Sequence, residues 1–283
     1  MSVRKRFLPA GWYPTGREST TEAIQRMSQS IEARSPAASA KSASALAGVV
    51  PHAGWDFSGS IALEVMSCFS RTIDTIVIIG GHLGPADGIL CAMEDLYETP
   101  LGAVSADGEL RTLLAESLDL RPDRSADNST EVQLPLARYL FPAARALCLR
   151  APPNEQAARL GIAVAAAGRT RRRRIAAVGS TDLTHYGPNY GFSPAGAGES
   201  ARQWVISTND RRFIEAMLAM DGKAMLALAG KERSACSAGG ALAAVSFARE
   251  MGVRQGRLLR YMTSYDVYPA ESFVGYAGVL YGS

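Results

Sequence analysis

No apolar run in this sequence approaches the roughly 20 residues that a membrane-spanning helix needs. Cysteine is scarce. The four (Cys68, Cys91, Cys148 and Cys236) stand far apart with no Cys-x-x-Cys pair, and in a chain expected in the cytoplasm they read as free thiols rather than a disulfide framework. No phosphate loop is present, since Gly80-Gly81-His82-Leu83-Gly84 is too short and lacks the Lys-Ser/Thr. No Gly-x-Ser-x-Gly elbow appears, which argues against an α/β-hydrolase. No internal repeat of solenoid period appears either. Net charge is small: 30 basic against 27 acidic residues leave +3, which fits an anionic small molecule or no particular partner. Histidine is as scarce as tryptophan, with only three residues.

What is present suits a folded globular chain. Of 283 residues, 47% are hydrophobic and 20% charged, enough for a large core. The basic start (Arg4, Lys5, Arg6) is followed by only a short mixed segment. A secretory leader is therefore not expected, and the cytoplasm is the expected location. Leu8-Pro-Ala-Gly-Trp-Tyr-Pro14 reads as a docked, turn-rich opening. A helix capped at Ser19 or Thr20 runs to about Arg34, and the Ser/Ala-rich stretch 35–47 reads as a surface loop. Strands are expected at Ala47–Val50, Thr75–Ile79, Gly88–Met93, Ala146–Leu149 and Ile175–Val178. Helices are expected from Ser58-Gly59 to Phe69, at Asp107–Leu118, at Ser129–Leu140 with Ser129 as cap, and from Asn154 to about Gly168. Later helices span Glu199–Met220, Met220–Gly230 and Cys236–Met251. Arg257–Thr263 and Ser272–Tyr281 look like closing strands, antiparallel to each other. Strands alternating with helices predict one α/β domain over 1–283, with a central mostly parallel or mixed sheet flanked by helices.

The histidines share one grammar. His52 follows Gly48-Val-Val-Pro51, His82 follows Ile76-Val-Ile-Ile-Gly-Gly81, and His185 follows the Ile175–Val178 run. Each sits just past an apolar strand beside glycine or proline. Such loops are where open α/β sheets build sites, so the three are expected to converge. Imidazole is a common ligand for zinc, copper and iron. Cys236 precedes a helix beginning with small residues (Ser237, Ala238, Gly239, Gly240). It is either a further donor or a buried small residue. Asp182 either orients the His185 imidazole, carries a proton, or bonds the amides of its own turn. Glu131 reads as support for a helix first turn. Trp55, Asp56, Phe57 and Tyr186 are expected to wall the pocket. Arg169-Thr-Arg-Arg-Arg-Arg174 invites a nucleic-acid reading, but a solvated helix end accounts for it with mild overall charge and no interleaved aromatics. Neither nucleic acid nor membrane is an expected partner.

Several motifs in order resemble the Memo-like family, whose fold is similar to the class III extradiol ring-cleaving dioxygenases. They are Gly11-Trp-Tyr-Pro14, Pro51-His-Ala-Gly-Trp55 with Ser58-Gly59, Ile79-Gly-Gly-His82, Glu131-Val-Gln-Leu-Pro135, Ser180-Thr-Asp-Leu-Thr-His-Tyr-Gly187, Cys236 and Val274-Gly-Tyr-Ala-Gly278. Leu83 and Asn128 stand where the family often has histidines, and Ser237 where a glycine commonly follows the cysteine. The resemblance implies that His52, His82 and Cys236 hold one metal ion, iron(II) by likeness to the dioxygenases, whereas the thiolate favours copper or zinc. It implies that His185 is an acid/base group rather than a ligand. The implied activity is a metal-dependent dioxygenase or oxidoreductase acting on a small substrate such as a phenol, with Asp182 orienting His185. The alternatives are a copper-binding redox protein and a pocket for peptides, including phosphotyrosine peptides. Protein partners and self-association are left open.

Overall fold

Four largely apolar runs of the chain lie side by side as parallel strands. The computed structural model describes residues 1–34 and 45–282. Most of the Ser/Ala-rich stretch, 35–44, falls outside the described residues. The first half contains β1 (Val3–Arg4), α1 (Arg17–Arg34), β2 (Ala47–Val50), α2 (Ser60–Ser67), β3 (Thr75–Gly80), β4 (Ile89–Cys91), β5 (Leu96–Tyr97), β6 (Val104–Ser105), α3 (Gly108–Ala115), β7 (Leu120–Pro122), α4 (Asn128–Glu131) and α5 (Leu134–Leu140). The second half contains β8 (Arg145–Arg150), α6 (Glu155–Arg171), β9 (Ile175–Ser180), β10 (His185–Tyr186), α7 (Gly198–Trp204), α8 (Asp210–Leu218), α9 (Gly222–Glu232), α10 (Ala238–Glu250), β11 (Arg257–Thr263) and β12 (Phe273–Tyr281).

The main sheet runs β10-β12-β2-β9-β3-β8-β4-β7, with β11 also on β12. Strands β2, β9, β3 and β8 are mutually parallel, whereas β12 runs antiparallel to β2, β10 and β11. This is the mixed sheet flanked by helices that the alternating pattern predicts. Every residue of β2, β3 and β9 is buried, because helices cover both faces. Side chains alternate between the two cores. Val77 and Ile79 join residues of α6 and α10, while Ile76 and Ile78 join those of α1, α2 and α5.

Local differences have local causes. The helix expected over Ser129–Leu140 is two helices, capped by Asp127 rather than Ser129, and α5 restarts with proline in its first turn. The long helix expected from Glu199 is interrupted by a π-helical turn at Val205–Asn209, and a second such turn, Trp55–Gly59, precedes α2. Strands β1, β5 and β6 form a separate small sheet. At two residues each they are too short to show a period. Three of the five arginines in 169–174 meet acids: Arg169 meets Glu250, Arg173 meets Asp107 and Glu109, and Arg174 meets Asp74. Among the described residues, no helix is long and apolar enough to cross a membrane.

One buried carboxylate makes stability depend on pH. Asp210, wholly buried at the start of α8, accepts from the Thr184 amide (3.0 Å), the Thr184 hydroxyl (2.5 Å) and the Tyr261 hydroxyl (2.8 Å). Burial outweighs these bonds and raises its pKa to about 7 from the ordinary 3.8. The folded state therefore holds this proton more tightly than the unfolded chain does. The group's contribution is complete below pH 3.8 and is lost as pH rises through 7, by up to about 1.4 kcal/mol per pH unit. Asp210→Asn should thus gain stability relative to the parent between pH 5 and pH 8, measured by urea unfolding at both. An identical pH slope in the two proteins would refute this assignment.

Candidate metal centre

Three adjacent parallel strands deliver the site. In register, Val50 of β2 pairs with Ser180 of β9, and Gly179 of β9 pairs with Ile79 of β3. The residues following these strand ends are His52, Asp182 and His82, so all three emerge at one edge of the sheet. The fourth contributor arrives just before α10, whose start abuts the same strands. A Cβ on Gly240 would stand 2.3 Å from the Ile79 carbonyl oxygen, and one on Gly179 would stand 2.6 Å from the Gly240 carbonyl. Only glycine permits this approach, and it brings Cys236 against the histidine loops.

His52 Nε2 lies 3.1 Å from His82 Nε2 and 3.2 Å from Cys236 Sγ, with the two rings edge to face. One donor atom from each residue lies within 4.8 Å of the others. Bond lengths of about 2.0 Å to nitrogen and 2.3 Å to sulfur, at tetrahedral angles, would separate neighbouring donors by roughly 3.3–3.6 Å. The three side chains therefore fit one metal ion with little movement.

Both histidine candidates are held from behind. His82 Nδ1 donates to Asp127 Oδ2 at 2.9 Å, which leaves Nε2 to face the cluster. Asp127 Oδ1 accepts from the Ser129 amide and hydroxyl. Arg150 Nη2 lies 3.5 Å from Asp127 Oδ2. Burial alone would lower the pKa of His82, but the Asp127 bond and the Cys236 sulfur outweigh it and raise the value to about 9. Burial would raise the Asp127 carboxyl, yet the bonds from His82 and Ser129 hold it well below the usual carboxylate range. The backbone of His82 adopts φ +57°, uncommon for a residue with a side chain. Arg150 Nε donates to the Gly81 carbonyl (2.8 Å), and the His82 amide donates to Ser237 Oγ (3.2 Å), so the loop is fixed on both sides. His52 is 1% exposed, with its amide donating to Asp182 Oδ1 at 2.7 Å and its Nδ1 3.3 Å from Ser180 Oγ. Asp127→Asn should weaken zinc binding about 10–100-fold, the usual cost of losing a ligand's orienting partner, by competition titration. An unchanged affinity would remove Asp127 from the account.

A cavity of about 600 Å³ opens on the cluster. His52, His82, Asp182 and His185 line it, with Trp12, Phe57, Tyr190, Tyr268 and Tyr276 as aromatic walls. His185 Nδ1 meets the Leu183 carbonyl at 3.2 Å; a carbonyl can only accept, so Nδ1 carries the hydrogen and Nε2 keeps its lone pair. Burial lowers its pKa, against the raising effect of Asp182. The orienting bond expected from Asp182 to His185 is not the one formed, because the Asp182 carboxylate is taken up by the His52 amide. Of the expected walls, Phe57 is one. Trp55 and Asp56 line a neighbouring hollow instead, and Tyr186 is buried among Phe192, Trp204 and Phe273. Glu131 does more than support its helix: it accepts from the Phe7 and Leu8 amides and the Tyr13 hydroxyl, tying the opening segment beside the site. Asp127 and Arg150 were not singled out by pattern. Asp127 precedes a helix start, a capping signal that masks its bond to His82.

Comparison with known proteins bears on the family and the fold. The Memo-like protein family matches residues 5–280. A MEMO1 family protein of Thermococcus onnurineus is 32% identical over 250 residues, covering 83% of this chain and 86% of its own. One from Pyrobaculum arsenaticum is 31% identical over 300 aligned residues, covering 99% of each chain. The crystal structure of an uncharacterized protein from Escherichia coli K12 shares the fold at TM-score 0.53 and 15% identity, over 84% of this chain and all of that one. With a family match from residue 5 to 280 and relatives above 30% identity over four-fifths of its length, the chain belongs to the Memo-like protein family.

Proposed function

We propose that the protein is a metal-dependent oxidoreductase of the dioxygenase type, acting on a small aromatic substrate in the cavity at the strand ends. The observation that carries this reading is the approach of His52 Nε2, His82 Nε2 and Cys236 Sγ to within 4.8 Å of one another, beside a cavity that His185 also lines. His52, His82 and Cys236 would hold one ion, and three protein ligands leave positions open for substrate. A redox metal bound there supplies dioxygen chemistry and Lewis acidity. The sulfur donor suits copper or zinc, whereas iron(II) is the metal that the dioxygenase resemblance implies.

The chain's own residues supply the rest. The aromatic walls present flat apolar surface to a ring, and His82, with 32% of its side chain exposed, is reachable from the cavity. His185 Nε2 takes the proton of a substrate hydroxyl. Asp182 lies on the same wall, and its charge favours the protonated His185 that results. The free thiols suit a cytoplasmic setting. A second reading, a copper redox protein without ring cleavage, draws on the same sulfur ligand. The test is oxygen uptake with a catechol panel after loading with iron(II) or copper. Metal-dependent uptake is expected. No uptake with either metal would overturn the enzymatic reading.

A further inference from the structure

Asp210 lies outside the cavity, behind the strand that carries His185, and no part of the proposed chemistry uses it. We infer that Asp210 is a positioning residue that sets the ring orientation and tautomer of His185 through a single peptide unit. This rests on His185 being the proton-transfer group proposed above.

The geometry is specific. The Leu183 carbonyl, which accepts from His185 Nδ1 at 3.2 Å, belongs to the same peptide as the Thr184 amide. That amide donates to Asp210 Oδ1 at 3.0 Å. A peptide is planar, so fixing its N–H fixes the direction of its C=O. Asp210 thus holds one edge of the plane and His185 reads the other. The hydrogen bonds run in one sense, from His185 Nδ1 through the peptide to a carboxyl oxygen, and such chains polarise each link. His185 Nε2 is left as the basic nitrogen on the cavity side.

The surroundings are built around this carboxyl. The Thr184 hydroxyl also donates to Oδ1, and Asn209 Nδ2 donates to that hydroxyl at 2.8 Å. The Thr184 carbonyl is taken by the Gly275 amide at 3.0 Å, so the whole residue is pinned. A Cβ on Gly275 would stand 1.8 Å from Asp210 Oδ2, so β12 carries a glycine where the carboxyl enters. The π-helical turn at Val205–Asn209 ends immediately before Asp210 and brings Asn209 and Asp210 to the Thr184 side. A fully buried carboxyl is costly to keep, and apart from the Tyr261 hydroxyl at 2.8 Å its hydrogen bonds all go to Thr184.

The three histidines make the test tractable. Ring ¹⁵N spectra of metal-free protein at pH 7.5, assigned by His185→Gln, report each tautomer. The parent should show His185 as a single Nδ1–H form, and a hydrogen-bond coupling should connect the Thr184 nitrogen to the Asp210 carboxyl carbon. Asp210→Ala should convert His185 to a mixture of both tautomers, with the His52 and His82 signals unmoved. Asp210→Asn keeps the acceptor oxygen and should restore the single form. A single Nδ1–H form in folded Asp210→Ala would overturn the inference, as would a mixture in Asp210→Asn. Should Asp210→Ala not fold, a missing coupling in the parent would overturn it alone. Zinc added to the parent separates the two levels: if zinc moves the His185 signal by direct ligation, the acid/base reading fails, while the role of Asp210 is still decided by the zinc-free spectra.

Discussion

His185→Ala is expected to lower turnover about 10²–10⁴-fold, the usual span for loss of a positioned general acid/base, with metal content unchanged. The split follows from the geometry. His185 lines the cavity with the metal cluster, but its Nδ1 is committed to the Leu183 carbonyl, and its pairing through β10 is made by backbone alone. Truncation removes the basic Nε2 and one face of the contact with Tyr190, whose ring stands 4.9 Å away at 86°. The bonds of His52, His82 and Cys236 are untouched. Metal analysis of the purified variant beside initial rates of oxygen uptake reads both halves. Loss of metal together with activity would make His185 a ligand.

The second large effect is on metal itself. Cys236→Ala should abolish stoichiometric binding, and His52→Ala should do the same. Two donors remain in each variant, too few for the closed side of a three-ligand site. Cys236→Ala deletes one small, partly buried side chain whose Sγ has the His52 nitrogen (3.2 Å) and the Ser237 hydroxyl (3.7 Å) as neighbours. Folding should therefore survive, and the loss can be assigned to the ligand. His52 is buried with Ser180 behind it, so circular dichroism is the control for that variant. Full occupancy of zinc or copper after Cys236→Ala, by elemental analysis, would remove the sulfur from the ligand set.

Much of this was legible in the sequence because the parallel strands are buried on both faces. Runs such as Ile76–Ile79 and Ile175–Val178 are then continuously apolar, and the polar residue that ends each run is the residue that emerges at the sheet edge. That made His52, His82 and His185 visible as a group. Strand β12, buried along its whole length, was visible for the same reason, whereas β11 is only partly buried. What stayed hidden depends on contacts between distant segments. Asp127 reaches His82 across 45 positions, and Asp210 reaches Thr184 across 26. Neither shows a period or a spacing. Asp127 looks like a helix cap because it is one, and its second bond is seen only when β3 and the start of α4 are side by side. The interruptions at Val205–Asn209 and at Leu134-Pro135 were missed because the apolar stripe continues through them. Asp182 has a partner that its place in the sequence does not show. Sequence proximity suggested His185 as its partner, but the loop after β9 turns the carboxylate toward the neighbouring strand and the His52 amide.

The central claim is that one metal ion sits among His52, His82 and Cys236, with His185 facing it across the cavity. Anomalous scattering at the metal edge, from crystals of protein purified without chelators, tests it most directly. One peak is expected, at about 2.0 Å from each histidine Nε2 and about 2.3 Å from the cysteine sulfur. A peak bonded to His185, or a loaded crystal with no peak at these three atoms, would contradict it.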